Sequence, residues 1–186
     1  VEDPKSYVIR MAESKARAIA GQVHPDSLVI GADTAVVDST AEIGAQILGK
    51  PASALEAVEM LQRLRNRTHQ VYTALAVLRV IDGSMVTDMC STDVAMRNYT
   101  DEEILAYVAS GDPLDKAGAY AIQHEGFHPV ENVAGCYANV VGLPVCSLTY
   151  VLSNLGMPPR ADIARACQAD LRYPCPIYQN ILRGEE

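Results

Sequence analysis

Ser27-Leu28-Val29-Ile30-Gly31-Ala32-Asp33-Thr34 is the stretch on which the fold turns. From Ser27 to Ala32 the run is short, β-rich and apolar, the pattern of a strand covered on both faces. Ligands of α/β sheets bind beyond the carboxyl ends of strands. Asp33 is therefore expected to face a crevice at the strand's end, as a carboxylate able to activate water or hold a metal. Gly31 permits another backbone to approach closely. A strand-end Asp followed by Thr also serves as a cap or turn, and these residues alone leave both readings open.

Outward from this strand, helices and strands alternate. Asp3 and Pro4 form a helix start, a capping carboxylate followed by proline at the first helical position. Val8, Met11, Ala12, Lys15 and Ile19 keep helical spacing, and Gly21 is the expected stop. Ser53-Ala54-Leu55-Glu56 is a capping box opening a helix to about Arg65. Val71 to Val80 and Met85 to Met96 read as two strands of a hairpin, joined at Asp82-Gly83 by a type I′ turn. Thr100-Asp101-Glu102-Glu103 is a second capping box, with its helix stopped at Ser110-Gly111. Tyr137 to Val141 is expected as another strand, and Pro144 opens a helix that ends before Gly156. The fold class is therefore α/β, a mixed β-sheet with flanking helices. After Met157-Pro158-Pro159 the composition shifts, so residues 157–186 are expected to be an appended tail, a helix and a loose end, behind a domain of 1–156.

Composition bounds the function. With 49% hydrophobic and 20% charged residues among 186, the chain is not disordered. No apolar run approaches the roughly 18 residues of a membrane span. The acidic opening, Val1-Glu2-Asp3-Pro4-Lys5, is unlike a secretory leader. A net charge of -8 argues against polymeric nucleic acid, which demands a basic face, but leaves room for a small anion held by local cations. The five cysteines, at 90, 136, 146, 167 and 175, include no CxxC and read as reduced thiols of a cytoplasmic protein.

His124-Glu125-Gly126-Phe127-His128 satisfies the H-E-x-x-H zinc pattern in text. That chemistry needs both histidines on one helical face, whereas Gly126 and Pro129 make this a loop. The lysines are more informative. There are four, at 5, 15, 50 and 116. Lys15 shares the helical stripe of the apolar residues, Lys50 sits in the turn Leu48-Gly49-Lys50-Pro51, and Lys116 follows Asp115 in a Gly-rich loop. Snorkelling, a rim charge and a surface ion pair would explain them separately. Together with Asp33 they also suit phosphate-ester chemistry, a carboxylate for water and cations for the developing phosphate charge.

Several motifs in order resemble one family: Tyr7 to Ala16 (YVIRMAESKA), Gly31-Ala32-Asp33-Thr34, Leu48-Gly49-Lys50-Pro51, His69 to Ala74 (HQVYTA), Gly111 to Gln123 (GDPLDKAGAYAIQ) and Asn139 to Pro144 (NVVGLP). The set is similar to the Maf (septum-formation-inhibitor) nucleotide pyrophosphatases over residues 2 to about 155. The resemblance implies a Maf/inosine-triphosphatase-like fold. It also implies cleavage of a nucleoside triphosphate to monophosphate and pyrophosphate with a divalent cation, Mg²⁺ or Mn²⁺. It places the catalytic carboxylate on Asp33, phosphate contacts on Lys15 and Lys50, and substrate selection on Thr34 and Gln123. Thr34 and the Asp115 to Gln123 run look like the dTTP/UTP branch rather than the 7-methyl-GTP branch, with Asp115 and Lys116 shaping the base pocket.

The expected partner is a nucleoside triphosphate and, at most, a second copy of the chain in a homodimer; no membrane is expected. The family opens with a strand and an arginine loop that grips phosphate, and this chain begins after them, which gives the expectation of an N-terminal truncation with slowed hydrolysis. A reading of another class stays open, a non-catalytic nucleotide-binding or division-regulating protein. Pyrophosphate release from dTTP separates the two.

Overall fold

A computed structural model describes residues 2–39 and 44–185. The elements in order are α1 (Pro4–Ala20), β1 (Leu28–Asp38), β2 (Gln46–Leu48), α2 (Ala54–Leu64), β3 (Thr68–Arg79), β4 (Met85–Met96), α3 (Asp101–Ala109), β5 (Val130–Ala134), α4 (Tyr137–Val141), α5 (Val145–Asn154), α6 (Ile163–Leu171) and α7 (Tyr178–Arg183). The sheet has the order β2-β1-β3-β4-β5. Val36 faces Leu48 across the antiparallel β1–β2 pair, and Val94 faces Val133 across the antiparallel β4–β5 pair. The α/β class with flanking helices is as expected. The mixed sheet is not, because the described strands form an antiparallel sheet.

The chain divides into two compact units. One comprises Val1–Thr34, Tyr72–Ser91 and Gly135–Glu186, the other Ala35–Val71 and Thr92–Ala134.

In the first unit, Asp3 caps α1 by accepting from the Ser6 amide at 3.0 Å, with Pro4 in the first turn. The buried stripe is Pro4, Val8, Ala12 and Ala16. Lys15 and Ile19 lie off it and are exposed, because a four-residue repeat of small residues forms the face that meets β1. Gly31 is the reason for this closeness. A Cβ there would stand 2.1 Å from the Ala12 carbonyl oxygen and 2.8 Å from the Ala16 nitrogen.

Three expectations in this unit need correction. Tyr137–Val141 is helix, not strand. Tyr and Val favour strands, but the segment closes on itself where the Gly142 and Leu143 amides reach the Ala138 carbonyl, with Gly142 at φ 120°. The β3–β4 connection is a five-residue loop, residues 80–84, not a type I′ turn. Of Asp82 and Gly83 only Gly83 has a positive φ, and the Asp82 carboxylate takes the Ser84 amide at 2.9 Å as an Asx turn. The tail carries two helices, α6 and α7, both packed on α5, and Tyr173 stacks on Tyr137 with centroids 4.6 Å apart.

In the second unit, α2 packs on α3. Ser53 caps α2 through the Glu56 amide, while Glu56 reaches back to the Ala52 amide at 2.6 Å. The Thr100–Glu103 capping box is complete in both directions. Tyr99 donates to the Leu61 carbonyl at 2.7 Å, and Tyr107 stacks on buried Phe127 at 4.3 Å. The residues 124–128 form turns, as expected, and the His124 Nδ1 is occupied by the Phe127 amide at 2.9 Å.

Candidate functional site

Asp33 and Thr34 are not at the end of their strand. β1 runs on to Asp38 because its second half finds a partner in β2, so both residues sit mid-strand. The crevice beyond a strand's carboxyl end is therefore not what positions Asp33. What positions it is α1. With Gly31 drawing the helix onto the strand, the Lys15 ammonium reaches across to donate to the Asp33 Oδ1 at 2.6 Å and to the Ala32 carbonyl at 2.9 Å. The carboxylate is largely shielded, its side chain 15% exposed, whereas Lys15 is 52% exposed. This asymmetry matters. The lysine stands toward solvent, while the carboxylate lies beneath it against the strand.

Thr34 points to the opposite side of the strand from Asp33. Its hydroxyl oxygen lies 2.8 Å from that of Thr73, and Thr73 donates to the Asn139 carbonyl at 3.1 Å. Each hydroxyl has one proton. With the Thr73 proton on Asn139, Thr34 donates to Thr73 or to the Gly142 carbonyl 3.5 Å away, and its lone pairs remain as acceptors. Thr73 and Asn139 carry this relay without having been singled out from sequence. Both lie in motifs quoted above, HQVYTA and NVVGLP, but nothing in a threonine on a strand or an asparagine carbonyl announces a partner so distant along the chain.

Lys50, Asp115, Lys116 and Gln123 belong to the second unit. The Gly118 amide donates to the Gly49 carbonyl at 3.0 Å, which ties the LGKP turn to the DKAGAY run. Gly118 has φ 70°, and a Cβ there would meet Val36 at 2.8 Å. Lys116 is engaged by Asp115 at 2.7 Å and by Asp112 at 3.2 Å. The hydrogen bond to Asp115 raises the Lys116 pKa, and the same bond lowers that of Asp115. Lys50 is exposed and makes no ion pair among the described residues, and Gln123 is exposed. The two lysines thus differ in setting, Lys50 exposed and Lys116 held by two carboxylates of its own loop. Lys15, Asp33 and Thr34 are brought together in one unit, and Lys50, Asp115, Lys116 and Gln123 in the other.

Tyr120 anchors the loop that ends at Gln123. Its hydroxyl and the Nε2 of His69 are 2.8 Å apart, both residues being buried. Burial pushes the His69 pKa down to about 4, against the opposing pull of Asp38 and Asp93. In the unfolded chain His69 takes a proton near pH 6.5, so between pH 6.5 and 4 the unfolded state binds more protons and stability falls as pH falls. We expect roughly 3 kcal/mol to be lost across that window. A denaturant midpoint measured from pH 7.5 to 4 should show this slope in the wild type and a flatter one in His69→Gln; equal slopes would remove His69 as its source.

Among the described residues no three His, Cys, Asp or Glu side chains stand together as a metal site, and no helix is long and apolar enough to cross a membrane. A cavity of about 1020 Å³ lies among α4, α5 and α6, walled by Val141, Leu143, Val145, Ile163 and Leu171. Its lining includes no lysine or arginine.

A family model described as Maf-like protein matches residues 1–155. A dTTP/UTP pyrophosphatase of Dehalococcoides mccartyi is 43% identical over 157 residues, covering 84% of this chain and 67% of that one. A dTTP/UTP pyrophosphatase of Clostridium botulinum is 44% identical over 154 residues, covering 82% of this chain and 77% of its own. With its Asp33–Lys15 pair, its LGKP turn and its DKAGAYAIQ loop inside the matched region, this chain belongs to the Maf family.

Proposed function

We propose that the protein hydrolyses dTTP and UTP to the nucleoside monophosphate and pyrophosphate. The observation that carries this reading is the Asp33–Lys15 pair, a fixed carboxylate with a mobile cation in contact, in a chain of this family. As a triphosphate arrives, Lys15 turns its charge to the phosphate oxygens, and Asp33 is left to accept a proton from the attacking water. Lys50 adds a second cation to the phosphates. The P–O bond between the α- and β-phosphates breaks, and pyrophosphate departs with its charge neutralised by the lysines.

The residues suit a divalent cation in a particular way. Mg²⁺ is commonly held by one or two carboxylates together with substrate phosphates. Asp33 is such a carboxylate, and no cluster of three ligands accompanies it among the described residues. Asp33 therefore fits a Mg²⁺ or Mn²⁺ that arrives with the nucleotide rather than one caged by the protein. Such an ion, when bound, supplies further neutralisation of the triphosphate.

Base selection falls to Thr34 and Gln123. Thymine and uracil present an N3–H donor where cytosine presents an acceptor, and a Thr34 hydroxyl whose proton goes to Thr73 or to the Gly142 carbonyl offers an acceptor. Competition among dTTP, UTP, CTP and 7-methyl-GTP tests this reading; preference for CTP or the methylated purine overturns it. Thr34→Val, which removes the acceptor at nearly constant volume, should lower the dTTP-over-CTP preference by about tenfold. An unchanged ratio would remove Thr34 from base selection.

A further inference from the structure

Residues 110–123 run from the end of α3 past Asp115 and Lys116 to Gln123, all within the second unit. Their backbone takes a costly path. Gly118 lies at φ 70° and Ala119, wholly buried, at φ 60°. The left-handed region suits glycine, but an alanine is crowded there and stays only where its surroundings hold it. On the Lys50 side, the Gly118 amide is tied to the Gly49 carbonyl at 3.0 Å. On the Gln123 side, the tie is a side chain from outside the loop.

That side chain is Tyr107 of α3, 3% exposed. Its hydroxyl donates to the Asp112 Oδ2 at 2.6 Å and accepts from the Ala121 amide at 3.0 Å, so one oxygen joins the two ends of the loop. The Asp112 carboxylate also takes the Lys116 ammonium at 3.2 Å. The tyrosine ring is itself fixed, stacked on Phe127 at 4.3 Å between centroids and tilted against His124 at 4.6 Å. The Ala121 carbonyl accepts from the His124 amide at 3.1 Å. Gln123 therefore stands in a turn whose two ends both rest on Tyr107, Ala121 through the hydroxyl and His124 through the ring.

We propose that Tyr107 is a positioning residue for nucleotide selection, its hydroxyl fixing the place of Gln123 and so setting the preference for thymine and uracil over cytosine. The inference rests on the reading of Gln123 as a base-selecting residue. A carboxamide discriminates only if its donor and acceptor are held in direction, and a loop that must be ordered on binding gives up part of that discrimination. Tyr107 is buried and Gln123 exposed, so the tyrosine acts through the turn rather than on the base. Without the hydroxyl, the Ala121 amide and the Asp112 carboxylate each lose a partner, and the left-handed pair at 118–119 is released toward ordinary backbone angles.

The test is Tyr107→Phe, which removes one oxygen and keeps the ring on Phe127. Two quantities are read on the folded 186-residue chain. One is amide hydrogen exchange, and the other is equilibrium binding, with Mg²⁺, of the uncleavable α,β-methylene analogues of dTTP and CTP. Exchange over residues 118–123 should quicken about tenfold while α2 and α3 keep wild-type rates. The dTTP analogue should bind about tenfold more weakly and the CTP analogue as before. In Gln123→Ala, adding Tyr107→Phe should leave the binding ratio where it is, because the hydroxyl works through Gln123. Exchange that quickens equally in α2 and α3 would show a general structural role. An unchanged ratio with a loosened loop would detach Tyr107 from selection. Either result overturns the proposal, and wild-type indifference to the two analogues would overturn both it and the reading of Gln123. Absence of pyrophosphate from dTTP itself, with the preference intact, would count against the proposed hydrolysis alone.

Discussion

Asp33→Asn should lower dTTP turnover by about 10²–10⁴-fold, the usual cost of removing a general base, without disturbing the fold. Asparagine keeps the shape and leaves an oxygen where Lys15 donates, so the local hydrogen bond survives. What is lost is the charge and the capacity to accept a proton. The stability change should be small, because Lys15 is half exposed and ion pairs of that kind contribute less than about 1 kcal/mol. Steady-state kinetics with a denaturation curve on the same preparation check both halves. Near-normal turnover with intact metal dependence would place the base elsewhere.

Gly31→Ala should cost stability although it adds a single methyl group. The new methyl would lie 2.1 Å from the Ala12 carbonyl oxygen and 2.8 Å from the Ala16 nitrogen. Both are backbone atoms of α1, which cannot rotate aside as a side chain can. The helix must move, and overpacking of this kind costs about 1–3 kcal/mol, occasionally more. Because α1 carries Lys15, the displacement should also separate Lys15 from Asp33, so kcat/KM should fall with stability. Gly49→Ala is the control in the second unit. Nothing lies within 4 Å of a Cβ there, and its φ is not positive, so its stability should be nearly unchanged. A Gly31→Ala protein with wild-type unfolding would mean that α1 and β1 are not packed as described.

Helix starts were legible in sequence because capping is local. Asp3-Pro4, Ser53 with Glu56, and Thr100 with Glu103 each carry their own partners within three residues, and each caps a helix. The β3–β4 hairpin was legible for the same reason, although its turn was mistaken, since Asp-Gly encodes a bend without fixing where the strands stop. What depends on distant pairing was hidden. β1 continues past Thr34 only because β2 stands beside Val36 to Asp38. Tyr137–Val141 has strand-forming residues but is helical where its carbonyls meet Thr73 and its own C-terminal amides. At the candidate site, Asp33, Lys15 and Lys50 stand out by residue type and setting, whereas Thr34 and Gln123 enter only through the resemblance to the family. Their contacts were not legible. Spacing alone puts Lys15 on the apolar stripe, and only the packing across Gly31 shows it at the edge of that stripe, with its nitrogen on a carboxylate.

The most direct measurement is a product analysis of dTTP incubated with the protein and Mg²⁺, by anion-exchange chromatography with separate assays for pyrophosphate and orthophosphate. Equimolar dTMP and pyrophosphate, with no dTDP, is the result predicted by cleavage between the α- and β-phosphates with Asp33 as base. Formation of dTDP and orthophosphate, or binding of dTTP with no turnover, would contradict it.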